Sequence, residues 1–200
     1  PKNPATLALV GCQSWEVQNE TFKKAKTDFY VVMTNVESGK PEYVLIKDAF
    51  AQMEYLRATS ALPFASKIIE INGKKYLDGG ISDSIPIDFC ESLGYDKIIA
   101  VLTRPEGTYK EDKLGFLYKL VYRKYPNLVN SLLNMATDYE KVLAKIKDLE
   151  NKGKIFVVRP PEVLKIGRLE KNRDKIQKVY DTGLNTGLKE LNNIVKYLNK

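Results

Sequence analysis

The chain has 200 residues, 44% hydrophobic and 28% charged, which suits one globular domain of moderate size with a sizeable core. Histidine is absent, which excludes Ser-His-Asp triads, Cys-His dyads and imidazole metal sites, so any hydrolytic base must be a carboxylate or a lysine. The formal charge of +7 is uneven: residues up to Thr103 hold 11 basic and 13 acidic side chains, those from Arg104 onward 21 and 12. Solvated helix faces explain such asymmetry, and so does an anionic partner surface. The two cysteines, Cys12 and Cys90, fit a reducing compartment and read as core thiols rather than a bridge. No apolar run approaches the length of about 18 residues that a membrane span needs, and no charged-then-apolar leader is visible. A cytoplasmic protein is expected. The opening "PKNPATLALVGCQSWEV" begins at Pro1 and shows no strand-turn-helix unit, so a missing upstream portion is expected too.

In chain order, "DFYVVMTNV" (28–36) and "EYVLI" (42–46) read as strands joined by a turn at "ESGKP". Helical spacing over 48–59 stops before Pro63, because a residue preceding proline leaves the helical region. "KIIEI" and "KKYL" flank Asn72-Gly73, the strongest short-range hairpin signal. A helix is predicted over 84–95, with Ser84 as cap, Pro86 in the first turn and Gly94 past the end. "KIIAVLT" (97–103) is apolar without alternation, which predicts a strand buried on both faces of a helix-covered sheet. Leu132, Ala136, Tyr139, Leu143 and Ile146 mark a long amphipathic helix ended by Gly153, and "KIFVV" (154–158) a further strand. The last helix runs from about Arg168 to Leu198, with Leu184, Leu188 and Leu191 on one face. Its Gly183 and Gly187, among Lys, Asp and Asn, predict close packing of two soluble helices rather than a membrane dimer. With no repeat and no linker beyond the loop around 104–112, one domain is expected over 1–200. Its sheet core spans 28–103, and a helical extension with one more strand spans 104–200.

Several motifs fall away. "ESGK" (37–40) lacks the first glycine of a phosphate loop and reads as a hairpin turn. Asn19-Glu20-Thr21 is a formal glycosylation sequon in a chain with no other sign of secretion. Asp78, Asp83 and Asp88 recur every five residues, but calcium loops place their acids at alternating positions, so no metal site is expected. Asp78 is different because four features converge on it. It follows a well-marked strand and precedes Gly79 and Gly80, a helix starts soon after, and the segment before the hairpin, "RATSALPFAS", is small and largely apolar. Two readings stay open by residue type. The acid and its glycines form a structural turn, or Asp78 faces an open site while the backbone passes close to something else.

The series "FYVVMTNVESGKPEYV", "YLRATSALPFAS", "INGKKYLDGGISDSIPI" and "YDKIIAVLT" resembles the carboxy-terminal half of the patatin-like phospholipases, in the same order and with similar separations. The stretch from "YRKYPNLVN" to "VYDTG" is similar to the tail common in bacterial members, so the resemblance covers roughly Phe29 to Gly187. It implies an α/β fold, a three-layer α/β/α sandwich with a mainly parallel sheet, of which this chain holds part. It also implies acyl-ester hydrolysis by a serine-aspartate pair, the aspartate of the family's Asp-Gly-Gly element falling on Asp78 and its glycines on Gly79 and Gly80. An aspartate is a weak base at its ordinary pKa of about 3.9, and partial burial against "SALP" would improve the match. The family's G-x-S-x-G elbow and its glycine-rich oxyanion segment do not occur here. Ser38, Ser60, Ser66, Ser82 and Ser84 are nearby hydroxyls outside any elbow, so the polypeptide by itself is expected to be inactive.

The expected substrate is a phospholipid or other lipid ester, with no cofactor and no metal. The expected partners are the missing amino-terminal segment of the same protein and, peripherally, an anionic membrane. The alternative is a non-catalytic module whose basic carboxy-terminal half binds anionic lipid or nucleic acid. Scattered aromatics rank nucleic acid below lipid.

Overall fold

The computed structural model describes residues 15–107, 114–167 and 170–199, with side chains from residue 20 onward. After helix α1 (Trp15–Lys24), strand β1 (Phe29–Asn35) organises the first sheet. Its β-branched and aromatic residues suit a covered, pleated surface, and Val31, Met33, Thr34 and Asn35 are buried. The chain then turns through 36–40 into β2 (Pro41–Ile46), which pairs antiparallel with β1 from Phe29↔Ile46 to Thr34↔Pro41. The "ESGK" stretch is therefore a turn, as expected. Its backbone is held by the Asn35 side-chain oxygen, which accepts from the Glu37 and Ser38 N–H groups.

The Asn-Gly hairpin forms where the sequence places it. Strands β3 (Ile69–Ile71) and β4 (Lys74–Asp78) pair antiparallel around Asn72 (φ 52°) and Gly73 (φ 75°), the two successive positive angles of the tight turn that suits twisted strands. β4 also lies antiparallel along β1, with Met33 opposite Asp78, and the strand order is β2-β1-β4-β3. Tyr76 and Leu77 point to opposite faces and both faces are covered. Met33 and Tyr76 pack with Ala58 and Tyr55 of α2 (Met53–Ala58). Val36, Leu77, Ile81 and Ala61 pack with Tyr118 of α4 (Gly115–Val121), Tyr122, and Leu128 and Leu132 of α5 (Pro126–Asn151).

This four-stranded sheet is antiparallel throughout, which differs from the mainly parallel sheet expected. For the β1–β2 and β3–β4 pairs the reason is connection length. Both hairpins close over a few residues, and a parallel return needs a crossover of about a dozen or more. The parallel pairing that does occur joins β5 (Ile98–Val101) to β6 (Ile155–Val158), across the long excursion through α4 and α5.

By its internal contacts the chain divides into two compact units, Pro1–Pro86 with Asp112–Tyr139 and Ile87–Glu111 with Glu140–Lys200. In the second, β5 is not buried on both faces. Ala100 is buried, but Val101 is 73% exposed and Ile99 is exposed as well, because the strand has one neighbour and one covered face among the described residues. Helix α6 (Arg173–Leu198) is tied to this sheet by Tyr197, whose hydroxyl accepts from the Ile98 N–H and donates to the Lys154 carbonyl. Leu184, Leu188 and Leu191 do share a face of α6, and that face is exposed. A Cβ at Gly183 or Gly187 would meet nothing within 4 Å, so no second helix among the described residues packs against that spacing.

Three boundaries move. Only 53–58 of the helix expected over 48–59 is helical, because the Asp48 side chain accepts the Phe50 and Ala51 N–H groups and holds a turn there. The helix expected over 84–95 is α3 (Ile87–Ser92); Ser84 donates to the Gly80 carbonyl instead of capping it. The last helix begins at Arg173 behind an Asn172 cap, and Arg168 lies outside the described residues. Cys90 is half-buried on α3 rather than in the core, and Cys12 also falls outside them. Among the described residues no helix is long and apolar enough to cross a membrane.

Candidate active site

Asp78 is the last residue of β4 and the cap of a single 3-10 turn, Gly79–Ile81. Its side-chain Oδ1 accepts the Gly80 N–H at 2.8 Å, its own N–H donates to the Ala61 carbonyl at 3.0 Å, and its carbonyl accepts from Thr34 Oγ1 at 2.8 Å. Three elements therefore fix one half-buried residue. The small residue at 61 lets the "TSALP" segment lie directly along the end of β4. Thr59 anchors the same segment by donating to the Val32 carbonyl at 2.6 Å.

Neither glycine is needed for a positive φ. A Cβ at Gly79 would sit 2.2 Å from the Val32 carbonyl oxygen, so this glycine exists because the β1 backbone runs against it. A Cβ at Gly80 would sit 3.0 Å from Asp78 Oδ1, inside the space the carboxylate oxygen needs to reach the amide. One glycine lets two backbones meet and the other seats the acid.

Thr34 was not singled out from sequence, although a lone hydroxyl inside the apolar run "FYVVMTNV" was a usable sign. It is fully buried. A hydroxyl has one proton to give; Thr34 gives its proton to the Asp78 carbonyl, so the 2.8 Å contact with Ser82 Oγ has Ser82 as donor. Three of the other candidate hydroxyls are also engaged locally. Ser38 Oγ accepts from the Lys40 N–H, Ser60 Oγ meets the Leu56 carbonyl at 3.4 Å, Ser84 bonds Gly80, and the exposed Ser66 donates its backbone N–H to the Leu62 carbonyl. The three spaced aspartates do not gather on a cation: Asp83 accepts the Tyr43 hydroxyl at 2.6 Å, and Asp88 pairs with Lys145. Among the described residues no group of three or more His, Cys, Asp or Glu could hold a metal ion.

A strong electrostatic perturbation lies at Tyr76, two residues before Asp78 on β4. Burial pushes the Tyr76 phenol well above its ordinary value, and its 2.7 Å hydrogen bond to Glu42 Oε2 adds to that. Burial alone would raise the Glu42 carboxyl, but hydrogen bonds from Tyr76, Asn35 and Lys74 outweigh it and hold the group below the usual 4.5. A lowered folded-state pKa gives stability that is present above the unfolded value and lost as pH falls through the folded one. Glu42→Gln is therefore expected to cost about 1–3 kcal/mol at neutral pH and to flatten the loss of stability below pH 4.5. Urea midpoints of both proteins at neutral and acid pH check this.

Comparison with known proteins places the turn in a family context. Residues 6–90 match the model of the patatin-like phospholipases, beginning ahead of the Phe29 at which the resemblance was read, and residues 125–199 match a domain of unknown function, DUF6363. The uncharacterized protein YjjU of Escherichia coli K12 is 29% identical over 143 residues, 68% of this chain and 39% of the relative. The chain thus spans 39% of the length of the curated relative it matches. The segment that carries β1 to β4, Asp78 and both glycines is therefore similar to a patatin-like phospholipase domain, as its motifs indicated.

Proposed function

We propose that the full-length protein is a lipid acyl hydrolase in which Asp78 is the general base for a serine lying outside these 200 residues. The observation that carries this reading is the build of the Asp78-Gly79-Gly80 turn within the patatin-like segment. A half-buried carboxylate is fixed through its own N–H, carbonyl and Oδ1. In the step proposed, the serine oxygen attacks the acyl carbonyl carbon and its proton passes to the Asp78 carboxylate. Collapse of the tetrahedral intermediate breaks the ester C–O bond, and Asp78 returns the proton to the departing alcohol. Water then frees the acid by the same route, with Asp78 again as base.

The reading extends to the fold: residues outside this chain complete a three-layer α/β/α sandwich with a mainly parallel sheet, and these 200 residues alone turn over no ester. The experiment is hydrolysis of a short p-nitrophenyl ester by the full-length protein and its Asp78→Asn variant. Retained turnover in the variant rejects the assignment. Gly80→Ala is expected to lower turnover about tenfold with little change in melting temperature, since it displaces a carboxylate oxygen rather than a backbone.

A further inference from the structure

Residues 114–124, "LGFLYKLVYRK", place opposite characters on two sides of one short stretch. Tyr118 and Tyr122 point inward and are buried, while Phe116 (81%), Leu120 (56%), Val121 (52%) and Leu117 lie exposed. Leu133 of α5 extends the patch, its Cδ2 lying 3.0 Å from where a Gly115 Cβ would be. Lys119 on α4, and Arg123 and Lys124 just past its end, are exposed, and none is in an ion pair among the described residues. From Leu114 to Thr137 the sequence contains no Asp or Glu at all. Several exposed cations elsewhere do pair with acids, as Lys145 does with Asp88 and Glu91, or Lys152 with Asp148.

Exposed apolar side chains interleaved with uncompensated cations are the signature of a surface that enters the headgroup layer of an anionic bilayer. We propose that this face of α4 docks the protein on anionic phospholipid membrane. Charge complementarity selects the occupant: a soluble protein partner would cover the apolar residues without needing three unopposed cations, and nucleic acid would use the cations without needing the aliphatic ones. The buried side of this stretch also meets the segment that holds Asp78. Phe64, itself exposed, stacks on Tyr118 with ring centroids 5.2 Å apart and donates its N–H to the Tyr122 hydroxyl at 3.0 Å. It stands three residues beyond Ala61, whose carbonyl holds Asp78. Phe64 keeps this place at a φ of 65°, a conformation an aromatic residue rarely adopts. In the hydrolase reading such a patch sets the enzyme on its substrate, but the docking is measured without turnover, so either reading can fail alone.

The test is co-sedimentation of the full-length protein with vesicles of phosphatidylcholine alone and of equimolar phosphatidylcholine and phosphatidylglycerol. Binding to the anionic vesicles that weakens with salt is expected. Lys119→Glu/Arg123→Glu/Lys124→Glu should weaken it by about a hundredfold or more, and Phe116→Ser/Leu120→Ser by about tenfold. All five side chains are exposed, so unchanged melting curves establish that both variants fold. The proposal is overturned by equal binding by parent and variants, by no vesicle binding by the parent, or by oxidative footprinting that finds Phe116 protected without lipid, which would mean the protein's own chain covers it. Duplex DNA binding that exceeds vesicle binding and survives the serine substitutions also overturns it, in favour of a polyanion site.

Discussion

Asp78→Asn in the full-length protein is expected to lower ester turnover by roughly ten-thousandfold or more, the scale seen when one member of an interdependent catalytic set is removed. Asparagine is nearly isosteric and keeps an oxygen that can accept the Gly80 N–H, so the 3-10 turn should survive and the melting temperature should stay within about 2 °C. What asparagine lacks is the capacity to take a proton. The loss should therefore appear in kcat rather than KM, since substrate binding does not depend on that proton. A variant that folds and keeps most of its turnover would show that Asp78 serves only the turn. A variant that loses both activity and thermal stability would point the same way, to a structural carboxylate.

Gly79→Ala carries the largest expected effect on stability. The added methyl carbon would lie 2.2 Å from the Val32 carbonyl oxygen and 2.5 Å from its carbon, and both are backbone atoms of the central strand. Neither can swing aside as a side-chain tip would, because β1 is pinned between β2 and β4 and the Val32 carbonyl already accepts from Thr59. A cost of about 4 kcal/mol or more is expected, a fall of about 8–16 °C in melting temperature for a protein of this size. Gly183→Ala in the exposed helix α6 is the opposing control. Its Cβ enters open space, and replacing a helical glycine should raise stability by about 0.5–1 kcal/mol. Equal melting of the Gly79→Ala protein and its parent would refute the close approach.

These two glycines also mark where sequence reading stopped. The strand, the Asn-Gly turn, the acid at the strand end and the α5 periodicity are local patterns and could be read from neighbouring residues. A close backbone approach is one of the two readings the residues leave open at Gly79, but its partner could not be read, because the atom that forbids a side chain belongs to Val32, far back in the chain. Thr34 is similar: its bonds to Asp78 and Ser82 span more than forty residues. The apolar run "KIIAVLT" misled for a related reason. Composition shows that a strand can be buried, but whether Ile99 and Val101 are covered depends on which elements lie beside them, and that is a matter of topology. Sheet direction followed the same logic, since the resemblance pointed to a parallel arrangement while the short turns required antiparallel β1–β2 and β3–β4 pairs.

The Asn72-Gly73 turn has a consequence for how this gene can vary. Side chains alternate along β4, so the count of residues from the turn to position 78 decides which side of the sheet the acid occupies. Surface loops ordinarily tolerate a gained or lost residue; here a single codon inserted between Gly73 and Lys74, where the strand rather than the turn takes it up, would leave every catalytic candidate chemically intact and swing the carboxylate to the opposite side. The hairpin acts as a measuring stick, and its length should be under tighter selection than its exposed position implies.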